Sequence, residues 1–150
     1  MALSAEAVAE AIADLSVDGI TIRDLDKTPQ AITDRDCPMV YPAPDKFLVL
    51  ESAQQLTLGP NALWQYTYLL KYRYVRGPVG QERGLAKTTL GRVVDYQNFI
   101  TAVCANAQLI GPNMHIAPAG TPDWGVLGDP SEQQFQAADL EFRVTDYTGN

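Results

Sequence analysis

Apolar and polar positions alternate most regularly over WQYTYLLKYRYV, residues 64–75. Trp64, Tyr66, Tyr68, Leu70, Tyr72 and Tyr74 share one parity; Gln65, Thr67, Leu69, Lys71 and Arg73 share the other. A two-residue period puts each set on its own face of a β-strand. The aromatic face suits packing against a helix, because tyrosine fits a pleated surface well. Tyrosine also keeps a polar tip and is enriched at interfaces, so one face in the core and the other toward a neighbour are compatible. Ala138, Leu140, Phe142 and Val144 alternate with Asp139, Glu141, Arg143 and Thr145, predicting a closing strand over 135–147. Phe135 and Ala137 break that parity, which predicts a bulge or a later strand start.

The 3.6-residue period appears twice. Over 4–15, Val8, Ile12 and Leu15 form an apolar stripe, with Ala5 and Ala11 beside it and Ser4 placed as N-cap. Over 89–109, Val93, Tyr96, Ile100, Val103 and Ala107 form the stripe, flanked by Leu90, Phe99 and Cys104. Thr88 or Thr89 is the expected cap of that helix and Gly111-Pro112 its end. Short strands are expected at Ile20–Arg23, Pro38–Pro44, Phe47–Leu50, Gln55–Leu58 and Met114–Ala117. The prolines around Met39-Val40-Tyr41 suggest an edge strand or a strand start. Gly59-Pro60-Asn61 marks a turn. Residues 24–36 read as a polar connection, 77–88 and 118–134 as loops, and 148–150 as a frayed tail. The order predicts a single α+β domain over 1–150: a mainly antiparallel sheet, with an N-terminal helix and one long helix packed on one face.

Composition narrows the function more than it names one. The 150 residues are 46% hydrophobic and 19% charged, enough to build a core without a metal or disulfide. A net charge of −7 argues against nonspecific nucleic-acid binding, which runs on Lys and Arg. The basic residues cluster at Lys71, Arg73, Arg76, Arg83, Lys87 and Arg92, with Glu82 as the only acid among them. Residues 1–36 and 93–150 are predominantly acidic. The two cysteines, Cys37 and Cys104, match no zinc or redox spacing, and Cys104 falls in a helical apolar pattern suited to a reduced, buried thiol. No signal-peptide pattern or membrane-length apolar run appears, so synthesis in the cytoplasm is expected.

Catalytic chemistry finds little purchase. His115 is the only histidine and sits in a strand-like segment, MHIAP. The glycines at 77, 80 and 84 lack phosphate-loop spacing, although Lys87-Thr88 follows. Asp24/Asp26 and Asp34/Asp36 fit a solvated connection better than an acid–base pair. Trp124, within the long loop, suits either a partner anchor or a pin onto the chain's own core. The reading is non-enzymatic, with no cofactor and no metal.

The layout resembles the tail terminator (tail-to-head joining) proteins of long-tailed bacteriophages. The alanine-rich first helix, RDCPMVYP, the central WQYTYLLKYRYV, the helix RVVDYQNFITAVCANAQL and the closing AADLEFRVTDY carry the resemblance over nearly the whole chain. The basic 74–92 segment departs from it in being longer. The resemblance implies a structural virion protein at the head-proximal end of the tail. Such proteins form a homo-hexameric ring that caps the tail tube, ends polymerisation and presents a docking surface to the head. Implied partners are further copies, the tail-tube protein and a head-completion or connector protein. DNA would pass through the lumen without specific binding, and no membrane is involved. A head-completion, neck or minor tail protein is the alternative within that class. A small enzyme or ligand-binding domain with a pocket lined by Tyr66, Tyr68 and Tyr72 is the alternative outside it. Opposite charges suit ring contacts. The expected interface residues are therefore Lys71, Arg73, Arg76, Arg83, Lys87, Trp124, Asp139 and Glu141, with the bases meeting acids of the adjacent copy.

Overall fold

The computed structural model describes residues 4–17, 20–24, 38–43, 47–78, 85–111, 113–120, 122–127 and 134–149, with backbone alone at 77–78, 85–93, 109, 123–124, 126–127 and 149. Two long antiparallel strands organise the fold: β4 (Leu63–Pro78) and β7 (Phe135–Gly149). Shorter strands flank them, two on each side. Against β4 lie β2 (Met39–Pro42) and β3 (Leu48–Gln55). Against β7 lie β5 (Met114–Pro118) and β6 (Asp123–Leu127). A two-residue strand, β1 (Thr21–Ile22), runs parallel to β2 outside it. The helices are α1 (Ala5–Ala13), α2 (Leu85–Ala105) and the short α3 (Ala107–Ile110). The protein is thus α+β with a mostly antiparallel sheet, as the residue pattern predicts.

The aromatic parity of β4 turns toward the helices. Tyr68, Leu70, Tyr72 and Tyr74 share one buried cluster with Ala138, Leu140, Phe142 and Val144 of β7. Val8, Ala9 and Ile12 of α1 and Phe99 and Val103 of α2 close it from above. Tyr72 is the hub. Its ring meets Phe47, Phe99 and Phe142 edge-on at centroid distances of 5.4, 5.5 and 6.5 Å. Edge-to-face contacts at such distances add to the gain from burial alone.

Several expectations need correction. Ser4 does cap α1, accepting from the Ala7 amide, but the buried alanine of that helix is Ala9. Of the two readings of the proline-flanked segment the strand start holds, with β2 beginning directly after Pro38, and the edge does not, since β2 is buried throughout between β1 and β4. Of the two candidate strands, the first runs on past a register shift between Leu50 and Ser52 to Gln55 as β3, while Leu56–Leu58 of the second lie in the turn that follows. The long helix starts at Leu85, so Thr88 and Thr89 lie within it rather than capping it. Phe99 is buried rather than flanking. The long loop at 118–134 contains β6.

Phe135 and Ala137 cause no break in β7. The register shift lies across from them in β4, between Val75 and Gly77. Both side chains point to the second face of the sheet, where they form a small cluster with Met39, Tyr41 and Val75. The sheet is therefore covered on both faces at this end, and a strand buried on both faces has no apolar–polar alternation to display. Of the tail expected to fray, Thr148 and Gly149 pair with Trp64 and Leu63, and Asn150 lies outside the described residues. Cys104 is half-buried and unbridged. The connection at 25–37 and the loop at 79–84 lie outside the described residues.

Candidate interaction surface

The lengths of β4 and β7 have a geometric consequence. Sixteen residues at about 3.3 Å each give a strand on the order of 50 Å long. A compact body of 150 residues is only roughly 38 Å across. The long strands must outrun the helices, and exposure shows where. Every residue from Leu50 to Asn61 is exposed. These residues form the outer part of β3 and the turn into β4. The turn is built for reversal: Gly59 takes φ 96°, and the Leu63 amide donates to Thr57 Oγ1 at 2.7 Å. The last residues of β7 add a third strand to this arm, pairing with β4 as far as Leu63.

Among the described residues, the arm carries most of the large apolar side chains that are exposed. Leu58 at its tip is 93% exposed; Leu50, Leu56, Leu63 and Tyr147 are also open to solvent. Trp64 stacks on Tyr66 with ring centroids 6.2 Å apart, and Tyr66 leans on Tyr68 at 6.4 Å. The tyrosine face therefore divides. Its Tyr68–Tyr74 half is the core, and its Trp64–Tyr66 half is a half-buried continuation into the arm. Charge is excluded from the same segment, since no residue from Ser52 to Leu70 is ionisable as an acid or base in the neutral range. That charge-free run is the sequence signal of this surface, and it holds none of the residues expected at the interface from their charge.

The expected interface residues sit elsewhere and largely engage one another. Lys71 stands opposite Glu141 and Arg73 opposite Asp139 in the β4–β7 ladder. Lys71 Nζ lies 3.1 Å from Glu141 Oε1, and Arg73 Nε donates to Asp139 Oδ1 at 3.0 Å. The closing strand does receive the basic residues, but it is the closing strand of the same chain. Arg76 Nη1 reaches Asp95 of α2 at 3.7 Å, and the Tyr74 hydroxyl donates to the same carboxylate. Burial, the first cause, and that hydrogen bond together raise the Tyr74 pKa far above the ordinary phenol value. Burial alone does the same to Tyr72. Arg83 lies outside the described residues. Lys87 belongs to α2, and Trp124 pairs through its backbone with Ala138, their side chains lying outside the description.

The remaining chemical candidates do not converge. His115 is exposed on β5, opposite Thr145. Among the described residues no group of three His, Cys, Asp or Glu side chains is placed to hold a metal, and no helix is long and apolar enough to cross a membrane. Asp24 is described, but the other three paired carboxylates lie outside the described residues. Tyr68 and Tyr72, 7% and 0% exposed, belong to the buried core cluster, and Tyr66 packs against it. A shallow, open groove lies between the end of α1 and the middle of α2, lined by Ser16, Val17, Gln97, Asn98, Thr101 and Ala102. No model of a protein family matches the chain, and no curated protein matches it.

Proposed function

We propose that the chain is a structural virion protein, a tail terminator that closes the phage tail tube as a ring, ends its polymerisation and offers the docking face for the head. The observation that carries this reading is the arm: a three-stranded extension beyond the core, free of charge from Ser52 to Leu70 and tipped by a leucine 93% exposed. Exposed Leu50, Leu56, Leu58, Leu63 and Tyr147 on one extension suit a subunit, since gathered exposed apolar side chains mark sites of association. The fold supports the reading in a second way. The long β4–β7 pair runs unbroken from the core into the arm, so arm and body share two strands, which suits a ring of identical subunits. The acidic balance of the chain is compatible with a lumen through which DNA slides, since like charges repel within a Debye length of about 8 Å.

The test is location. Gold-labelled antibody against the chain is expected to mark the junction of tail and head in purified particles. Label on the portal side of heads without tails would favour a neck or head-completion protein, and label along the tube or at its distal tip would exclude a terminator.

A further inference from the structure

The acids on the two strands that border β4 in the arm are not treated alike. Glu51 of β3 accepts from Arg143 Nε at 3.3 Å, and Asp139 and Glu141 of β7 face Arg73 and Lys71. Asp146 of β7 makes no ion pair with any described residue. It shares the helix side of the sheet with Phe142 and Val144, and stands in register between Tyr66 of β4 and Met114 of β5. Directly opposed residues share a face, with Cβ atoms about 5 Å apart. The half-buried carboxylate is thus walled by two large uncharged side chains. Burial raises its pKa, and the attraction of the chain's own amino group offsets that in part. On the same face Tyr66 stacks on Trp64, with ring planes 13° apart and both side chains half-buried.

We infer that Asp146, Tyr66 and Trp64 form a seat for an arginine side chain of a different, basic partner protein. A partly desolvated carboxylate beside aromatic rings calls for a cation with a flat, weakly hydrated face. A guanidinium has both properties: it forks onto a carboxylate and stacks on a ring. An ammonium would have to give up a tighter hydration shell. A second copy fits the seat less well, because its Lys71, Arg73, Arg76 and Arg143 already engage acids of their own chain. Copies of net charge −7 also repel one another, whereas the same charge steers a basic partner inward. The apolar tip at Leu56 and Leu58 remains for contacts between copies. The inference rests on the reading of the arm as an assembly surface and adds the chemistry of a second kind of partner.

The probe is N-acetyl-arginine amide, with its uncharged citrulline counterpart as control, titrated at low salt into the ¹⁵N-labelled full-length chain. The indole N–H signals of the two tryptophans are followed by NMR, and Trp64→Phe identifies that of Trp64. The expected result is a saturable shift of the Trp64 signal at millimolar arginine amide. Binding is expected to be at least about tenfold weaker with the citrulline compound and in Asp146→Asn. Tyr66→Leu, which keeps apolar bulk and removes the ring, is expected to weaken it about threefold. Thermal melts of Asp146→Asn no lower than the parent's would show that its loss of binding is not misfolding. No saturable shift, equal shifts with citrulline, or an Asp146→Asn variant that binds as the parent does would each overturn the inference. So would binding that appears only after the chain's amino group is acetylated, because that amine would then be the native occupant. A chain found at the tail end that fails this titration loses the inference and keeps the function; one that binds arginine amide yet is absent from the tail does the reverse.

Discussion

Tyr72 and Tyr74 lie two residues apart on one face of β4, both buried, yet their hydroxyls have different fates. The Tyr74 hydroxyl donates to Asp95, whose carboxylate also faces Arg76. The Tyr72 hydroxyl meets no hydrogen-bond partner among the described residues, although its ring is wholly buried. A buried polar group left unpaired costs about 1–3 kcal/mol, whereas a hydrogen bond to a charged group contributes about 1.5–3 kcal/mol. Tyr72→Phe keeps the ring contacts with Phe47, Phe99 and Phe142 and deletes only the orphaned oxygen. It is expected to leave stability unchanged or raise it by about 1 kcal/mol, moving Tm by roughly +2 to +4 °C for a domain of this size. Tyr74→Phe removes the link from sheet to helix and is expected to cost about 1.5–2.5 kcal/mol, moderated because Asp95 keeps Arg76. Urea melts followed by circular dichroism at neutral pH measure both, as shifts in midpoint at constant m-value. A loss of 1 kcal/mol or more in Tyr72→Phe, or a Tyr74→Phe variant indistinguishable from the parent, would refute the assignment of the two hydroxyls.

Further predictions follow from the same packing. Alkali should destabilise the protein: burial raises both tyrosine pKa values in the folded state, so that contribution is complete below the unfolded value of 10.0 and shrinks as pH climbs above it. Urea midpoints are therefore expected to fall above about pH 10, and less steeply in the Tyr74→Phe variant. Burial likewise raises the Asp146 pKa, so Asp146→Asn is expected to be no less stable than the parent at neutral pH, by thermal melt. Phe142→Ala, in the centre of the core, should cost about 3–5 kcal/mol by urea melt. Arg73→Ala should cost less than about 1 kcal/mol by the same assay, because its partner Asp139 is half-exposed and solvent screens the pair. Gly59→Ala should cost about 1–2 kcal/mol by thermal melt; nothing lies within 4 Å of the added carbon, so the loss comes from the backbone at φ 96°.

What the residue pattern revealed follows from where each side of an element is covered. The Tyr68–Tyr74 and Ala138–Val144 segments have one face in the core and one in water, so their two-residue period was plain. Positions 39–42 are buried without alternation, which hid the interior place of that strand, and Phe135 and Ala137 face the second side of the sheet, which made them read as a break in parity. Helix α2 was recognised by its stripe but started too late, because its first turns, over 85–88, follow a glycine-rich run. The pattern stops β3 at Leu50 because its outer half, ESAQQ, lies on an arm with neither face buried and so carries no periodic signal. The interface choice failed to anticipate pairing within the chain for a related reason. Lys71 and Glu141, or Arg73 and Asp139, become neighbours only once two strands 70 residues apart in sequence are in register, and composition holds no register.

The central claim, that this protein acts by assembly at the end of a tail tube, meets its most direct test in tail length. Particles produced without the chain should show tubes grown beyond the normal length and heads left unjoined when imaged by electron microscopy, and adding the purified protein to growing tubes should halt them. Tails of normal length joined to heads in the absence of the chain would contradict the account.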